Sequence, residues 1–197
     1  MNDLLHYHDD LADRSRLGSP MLFAGATYWL FVALCTTFLP DSAFPWVYLY
    51  SLAFVLPLGI LLAKFLHVDL YPKNNPFTML IGIISGIQLF FIPVIIYFAL
   101  VQPMQLLFAI GVMYGAHFFP YMWVYQTHLY TIFSVTIVAI STIFFISTPF
   151  LTFLFTIVFI YCLYIVWDFC SYTIKTAATF WSKVIAREIT KRRVQNV

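Results

Sequence analysis

The sequence predicts an all-α protein: a polytopic membrane helix bundle of six transmembrane helices, both termini cytoplasmic, ending in a cytoplasmic amphipathic basic helix. Three observations predict it. First, 62% of the 197 residues are hydrophobic and only 9% charged, with a mean hydropathy of +0.90. Soluble domains carry about 25% charged residues, so lipid is the solvent for most of this chain. Second, the apolar residues fall into six runs, each near the ~20 residues that cross a bilayer as a helix. Third, all ten Lys and Arg residues fall on one side of the membrane when those runs are threaded through it.

Taken in order, 1–19 is a polar cytoplasmic segment, 20–172 the transmembrane domain and 173–197 a basic cytoplasmic tail. The N-terminal segment is acidic and lacks the basic stretch and short apolar core of a cleavable signal peptide. The spans run 20–39, 45–66, 76–101, 103–125, 128–147 and 149–172. Pro20, Pro45, Pro76, Pro103 and Pro149 each stand at a span start. A proline is well placed in the first helical turn, where its missing N–H would have no intrahelical partner. The six spans place the termini on the same side. Arg14, Arg16, Lys64, Lys73, Lys175, Lys183, Arg187, Lys191, Arg192 and Arg193 then lie inside, and the outer connections hold no cation. In the tail, Ile174, Ala178, Trp181, Ile185 and Ile189 recur at helical spacing, with Lys183, Arg187 and Lys191 on another face. Such a helix suits the surface of anionic lipid, where it anchors the topology. The lipid bilayer and anionic lipid are thus the expected partners. A net charge of +2 gives no reason to expect nucleic acid.

Close packing is expected in the middle of the bundle. The third span contains GIISG, with Gly82 and Gly86, and the fourth GVMYG, with Gly111 and Gly115. Small residues four apart let helix backbones approach. Their similar depths predict a tight hairpin of the third and fourth helices, or else the interface of a homo-oligomer.

Polar groups within lipid are costly and mark interior sites. Gln88 lies mid-span on the third helix and His117 on the fourth, with Tyr121 four residues beyond it. Lys64 ends the second span and Asp168 lies near the end of the sixth, next to Trp167. All but Gln88 fall in the cytoplasmic half. Pro57, Pro93 and Pro120 fall inside spans, and each frees the carbonyl four residues earlier. For Pro120 that is the carbonyl of Ala116, beside His117. The structural expectation for His117 is a neutral ring bonded to that carbonyl or to Gln88. The functional alternative is a site built from unwound backbone and a polar side chain, as in transporters. The stretch HYHDD, His6 to Asp10, clusters ligand atoms but lacks further ligands at fixed spacing, so no metal and no cofactor is expected. Cys35, Cys162 and Cys170 read as small core residues. No Walker loop, Gly-x-Ser-x-Gly elbow, HExxH or CxxC occurs.

The segments LGSPMLFAGATYWL, LPLGILLAKFL, NPFTMLIGIISGIQLFFIPVII and GAHFFPY together resemble a small bacterial multipass membrane family catalogued only as a domain of unknown function. The resemblance spans nearly the whole chain short of the basic tail. It implies an integral protein of the bacterial cell membrane and no particular activity. From the residues, the preferred reading is a small-solute or ion transporter or channel-like bundle with a polar site near the cytoplasmic side. The alternatives are a non-catalytic sensor, scaffold or partner subunit and, third, a lipid-modifying enzyme at the inner leaflet using His117 or Asp168.

The topology is checked by cysteine labelling. A cysteine replacing Lys73 should react with an impermeant reagent only from inside, and one replacing Ser42 only from outside. The opposite pattern would invert the orientation.

Overall fold

The computed structural model describes residues 2–147, 156, 157, 160–162 and 164. Every regular element among them is helical: α1 (Asn2–Ser15), α2 (Ser19–Phe38), α3 (Phe44–Phe65), α4 (Phe77–Gly86), α5 (Ile92–Val101), α6 (Leu106–Phe118), α7 (Tyr121–Tyr125) and α8 (Leu129–Ser147). Four helical stretches, Leu4–Phe38, Asp41–Phe65, Phe77–Val101 and Pro103–Tyr125, are long and apolar enough to cross a membrane. The apolar helix α8 follows them. Most of the sixth expected span, with Pro149 and Asp168, and the basic tail lie outside the described residues.

Proline punctuates the chain as expected at the described starts. Pro20 and Pro45 occupy the first turns of α2 and α3, and Pro76 caps α4. Two of the three prolines expected inside helices also begin new ones. A 3-10 segment, Ile87–Phe91, divides the third span, and Pro93 lies in the first turn of α5. Pro120 precedes α7. Only Pro57 lies within a continuous helix.

The bundle is packed by α2 against α3 and by α6 against α8. Its core runs through Trp29, Tyr48, Leu106, Ile110, Val124 and Ile137, and Tyr161, from the stretch expected as a sixth span, joins it. Phe118 anchors an aromatic cluster there, edge-on to Phe133 at 5.0 Å and to Tyr161 at 6.4 Å. The outer face carries large apolar side chains: Phe38, Phe65 and Phe90 are each about 80% exposed. A water-facing surface would rarely hold so many, and hydrocarbon accepts them without cost.

The close helix contacts differ from those expected. A Cβ added at Gly82 or Gly86 would meet nothing within 4 Å. The two GxxxG stretches therefore do not form a seam, and α6 packs mainly on α8 instead of on the third span. A Cβ at Gly115 would lie 2.7 Å from Val138 and 3.2 Å from the Ser134 carbonyl of α8. Gly111 is buried on the same helix. The other tight approaches are Gly25 against Tyr161, at 2.9 Å, and Gly59 against Met21 across the α2–α3 hairpin. The physical reason is local. Gly82 and Gly86 border a cavity instead of a neighbouring helix, which leaves open space beside the backbone. The described cysteines are free, Cys35 half-buried and Cys162 exposed, so Cys162 is not the core residue expected.

The N-terminal segment folds against the end of the bundle. Arg16, Leu17 and Gly18 take successive positive φ values of 47°, 53° and 74°, forming an elbow between α1 and α2. Left-handed backbone costs roughly 1–2 kcal/mol for a non-glycine residue, so the elbow needs support. Tyr130 supplies it by donating a hydrogen bond to the Leu17 carbonyl. Beyond the elbow, α1 reaches α4 and α7. His8 is buried, donates from Nδ1 to the Val124 carbonyl at 2.8 Å and stacks on Phe77 at 4.3 Å. Asp10 accepts from Asn75 at 3.0 Å, and Arg14 pairs with Asp69 at 2.6 Å. The HYHDD stretch thus holds α1 to the loop before α4 and to α7. No metal-binding group of His, Cys, Asp and Glu forms among the described residues.

Gly115→Leu should lower stability in detergent by about 1–3 kcal/mol, the usual cost of excess bulk at a packed contact. Gly82→Leu should leave the melting temperature unchanged, because its side chain enters open space. Scanning fluorimetry separates the two, and equal losses would restore the GxxxG seam.

Candidate functional site

The site begins with two interruptions in the backbone. Pro93 has no N–H to give the Leu89 carbonyl, and the N–H of Ile92 takes that carbonyl instead. Pro120 leaves the Ala116 carbonyl in the same position, and the N–H of Phe119 takes it at 3.2 Å. Each break is closed by the same tightening into a 3-10 bond. The hydrogen bond expected from His117 to the Ala116 carbonyl is therefore not required. His117 Nδ1 is buried and has no hydrogen-bond partner among the described residues, so it is not bonded to Gln88 either.

A cavity of about 700 Å³ lies between these breaks. Gly82, Ser85, Gly86 and Gln88 line it from the third span, and His117, Phe118 and Tyr121 from the fourth. Leu49, Tyr50, Leu52, Ala53, Val55 and Leu56 of α3 contribute a further wall, and Gly18, Leu70, Tyr125 and Tyr130 contribute at the N-terminal end. Ser85 Oγ and the Tyr121 hydroxyl are 3.0 Å apart. Tyr121, Tyr125 and Tyr130 stack in succession, with ring centroids 5.8 Å and 5.5 Å apart. The His117 ring meets Tyr121 edge-on at 5.4 Å. No Asp, Glu, Lys or Arg lies in the described lining.

One side of the cavity is open. α3 packs on α5 but hardly touches α4. Beyond α4, around the 3-10 break, Tyr50 and Leu56 of α3 and Leu89 and Ile92 of the third span line the cavity and are all exposed.

Of the polar residues singled out by sequence, the cavity gathers His117, Gln88 and Tyr121. Gly82 and Gly86 join them as wall residues instead of helix contacts. Lys64 is exposed at the end of α3 and does not line the cavity. Asp168 lies outside the described residues. Sequence reasoning missed Ser85, Tyr114, Tyr125 and Tyr130. For Ser85 a signal was present: Gly82, Ser85, Gly86 and Leu89 recur at i, i+3, i+4 and i+7, one face of a helix. Tyr114 carried the same kind of signal, falling at i, i+3, i+4 and i+7 with His117, Phe118 and Tyr121. Tyr125 and Tyr130 did not, because they reach the cavity only after the chain breaks at Pro120 and, for Tyr130, turns at Gln126.

The family of unknown function DUF7010 matches residues 4–173. The chain belongs to that family. The matched stretch of this DUF7010 member contains the entire described cavity lining and ends at the beginning of the basic tail. No curated protein and no solved structure matches it. Membership sets no activity.

His117→Leu removes a buried nitrogen that has no partner. The melting temperature should stay level or rise, since an unmet buried polar atom costs about 1–3 kcal/mol. Ser85→Ala leaves the Tyr121 hydroxyl without its neighbour and should cost about 1 kcal/mol. A marked loss in His117→Leu would reveal a bond that holds the ring in place.

Proposed function

We propose that this protein is a six-span protein of the cell membrane, with both termini cytoplasmic, that moves a small solute through the cavity between its broken third and fourth spans. The single observation that carries this reading is the junction of unwound backbone and polar side chains in one cavity. The 3-10 segment Ile87–Phe91 presents Gln88 beside Ser85, opposite His117 and Tyr121. Interrupted helices that meet at a polar cavity are the usual construction of a transporter site. A helix broken at such a point also has a natural hinge, because one or two backbone torsions there redirect half a span.

The segregation of Lys and Arg supports the orientation, which places the tyrosine end of the cavity towards the cytoplasm. A lipid-modifying enzyme that pairs His117 with a carboxylate finds no Asp or Glu in the described lining. An ion channel is disfavoured in the same way, because no charged side chain in that lining balances an ion. The tail, read as an amphipathic basic helix, would hold the protein against anionic lipid on the inner face.

Two-sided access tests the reading. With Cys35, Cys162 and Cys170 replaced by Ala, a Gln88→Cys variant should react with an impermeant maleimide from either face of sealed vesicles. Labelling from one face alone, under all conditions, would replace the transporter with a one-sided binding protein.

A further inference from the structure

We propose that the cavity takes an uncharged amphiphile, a chain or flat apolar body with a hydroxyl or carbonyl head, which enters sideways from the bilayer between α3 and the third span. The proposal rests on reading this cavity as the site and names the class of its ligand.

Size comes first. A cavity of about 700 Å³ falls within the ~300–1,000 Å³ range of small-molecule sites, and exceeds what a simple ion or a few waters would fill. Its walls are mainly Leu, Ile, Val, Met and aromatic rings, so most of the occupant's surface must be apolar. A water-soluble sugar or amino acid would leave many of its hydrogen bonds unmet there, at a cost for each.

Charge comes second. The described lining holds no acid and no Lys or Arg. A charged head buried among these residues would have no counter-ion, and a lone charge is the most expensive group to move into an apolar site. What the lining does offer is neutral. The Gln88 amide both donates and accepts, the Ser85–Tyr121 pair can do either, and His117 is available as an imidazole. Nothing described bonds to His117 Nδ1, so no neighbour locks one tautomer. The ring can thus act as donor to a carbonyl or as acceptor from a hydroxyl. A head with one or two neutral polar atoms matches this set.

The route comes third. The gap lies between α3 and the third span: α3 scarcely meets α4, and at the 3-10 break the lining residues Tyr50, Leu56, Leu89 and Ile92 are exposed. These residues face the direction from which lipid, not water, would approach. An amphiphile dissolved in the leaflet would reach the gap tail-first or side-on without crossing water. Gly82 and Gly86 keep that wall low, since a Cβ at either meets nothing within 4 Å.

Three amphiphiles with one twelve-carbon chain and different heads test the class: dodecanol, dodecanesulfonate and dodecyltrimethylammonium. Each is titrated into the full chain in phosphatidylcholine nanodiscs, with thermal unfolding as the readout. Dodecanol should raise the melting temperature and half-saturate at a bilayer mole fraction at least about tenfold below the two charged compounds, because neither charge finds a partner. Gly86→Leu should melt as the wild type does without additive, yet lose the dodecanol response as its side chain fills the cavity. Should that variant fail to fold, Gln88→Leu replaces it, with the response expected to fall at least about fivefold in mole fraction for the lost head-group bond. Equal responses to all three compounds, a preference for either charged head, or no response to dodecanol would overturn the proposal. So would a dodecanol response that survives cavity filling. Binding is read without transport, so a failure here is distinct from one-sided labelling at Gln88→Cys.

Discussion

A helix surrounded by hydrocarbon cannot leave a backbone carbonyl unpaired, and the middle of this protein is arranged around that constraint. Pro93 and Pro120 each remove one donor from an apolar helix. At both, the N–H of the preceding residue turns onto the freed carbonyl, Ile92 onto Leu89 and Phe119 onto Ala116. The repair is internal to the backbone, so no side chain is needed for it. Gln88 and His117, one near each break, remain available to the cavity between them.

The remainder of the bundle holds those two breaks in place. Gly115 brings α6 against α8, and Gly59 brings α3 against α2. In lipid, such close contact stabilises more than burial does, because hydrocarbon tails are as apolar as a core. Phe118, itself a cavity-lining residue, joins α6 to Phe133 and Tyr161, so the segment just before Pro120 is held in place. The third span has no comparable clamp at Gly82 and Gly86. It is the looser wall, and the gap to α3 lies along it.

The N-terminal helix gives the same end of the molecule its second layer. The elbow at Arg16–Gly18 is held by Tyr130, a residue that also lines the cavity, while His8 fixes α1 to the carbonyl of Val124 on α7. The strained backbone, the buried histidine and the tyrosine stack are therefore one connected arrangement. A shift of α7 would be felt both by Tyr121 in the cavity and by His8 beneath it.

The sequence by itself determined the class of the molecule and most of its punctuation. Composition required an apolar helical bundle, and the described prolines at 20, 45, 76 and 103 marked helix starts, because a proline ring suits a first turn in any context. It also pointed to His117, Gln88 and Tyr121, since polar groups stand out against hydrocarbon. Only the tertiary structure decided which glycines make contacts, what Pro93 and Pro120 do, and where the HYHDD stretch goes. Each of those depends on which helix lies opposite. GxxxG at 82–86 and at 111–115 look alike along the chain, yet Gly115 meets α8 while Gly82 and Gly86 meet open space. Nor could spacing alone tell a proline that kinks a helix from one that ends it and begins another. That outcome depends on whether the neighbouring backbone can turn onto the freed carbonyl, and on whether the packing around it leaves the chain room to do so.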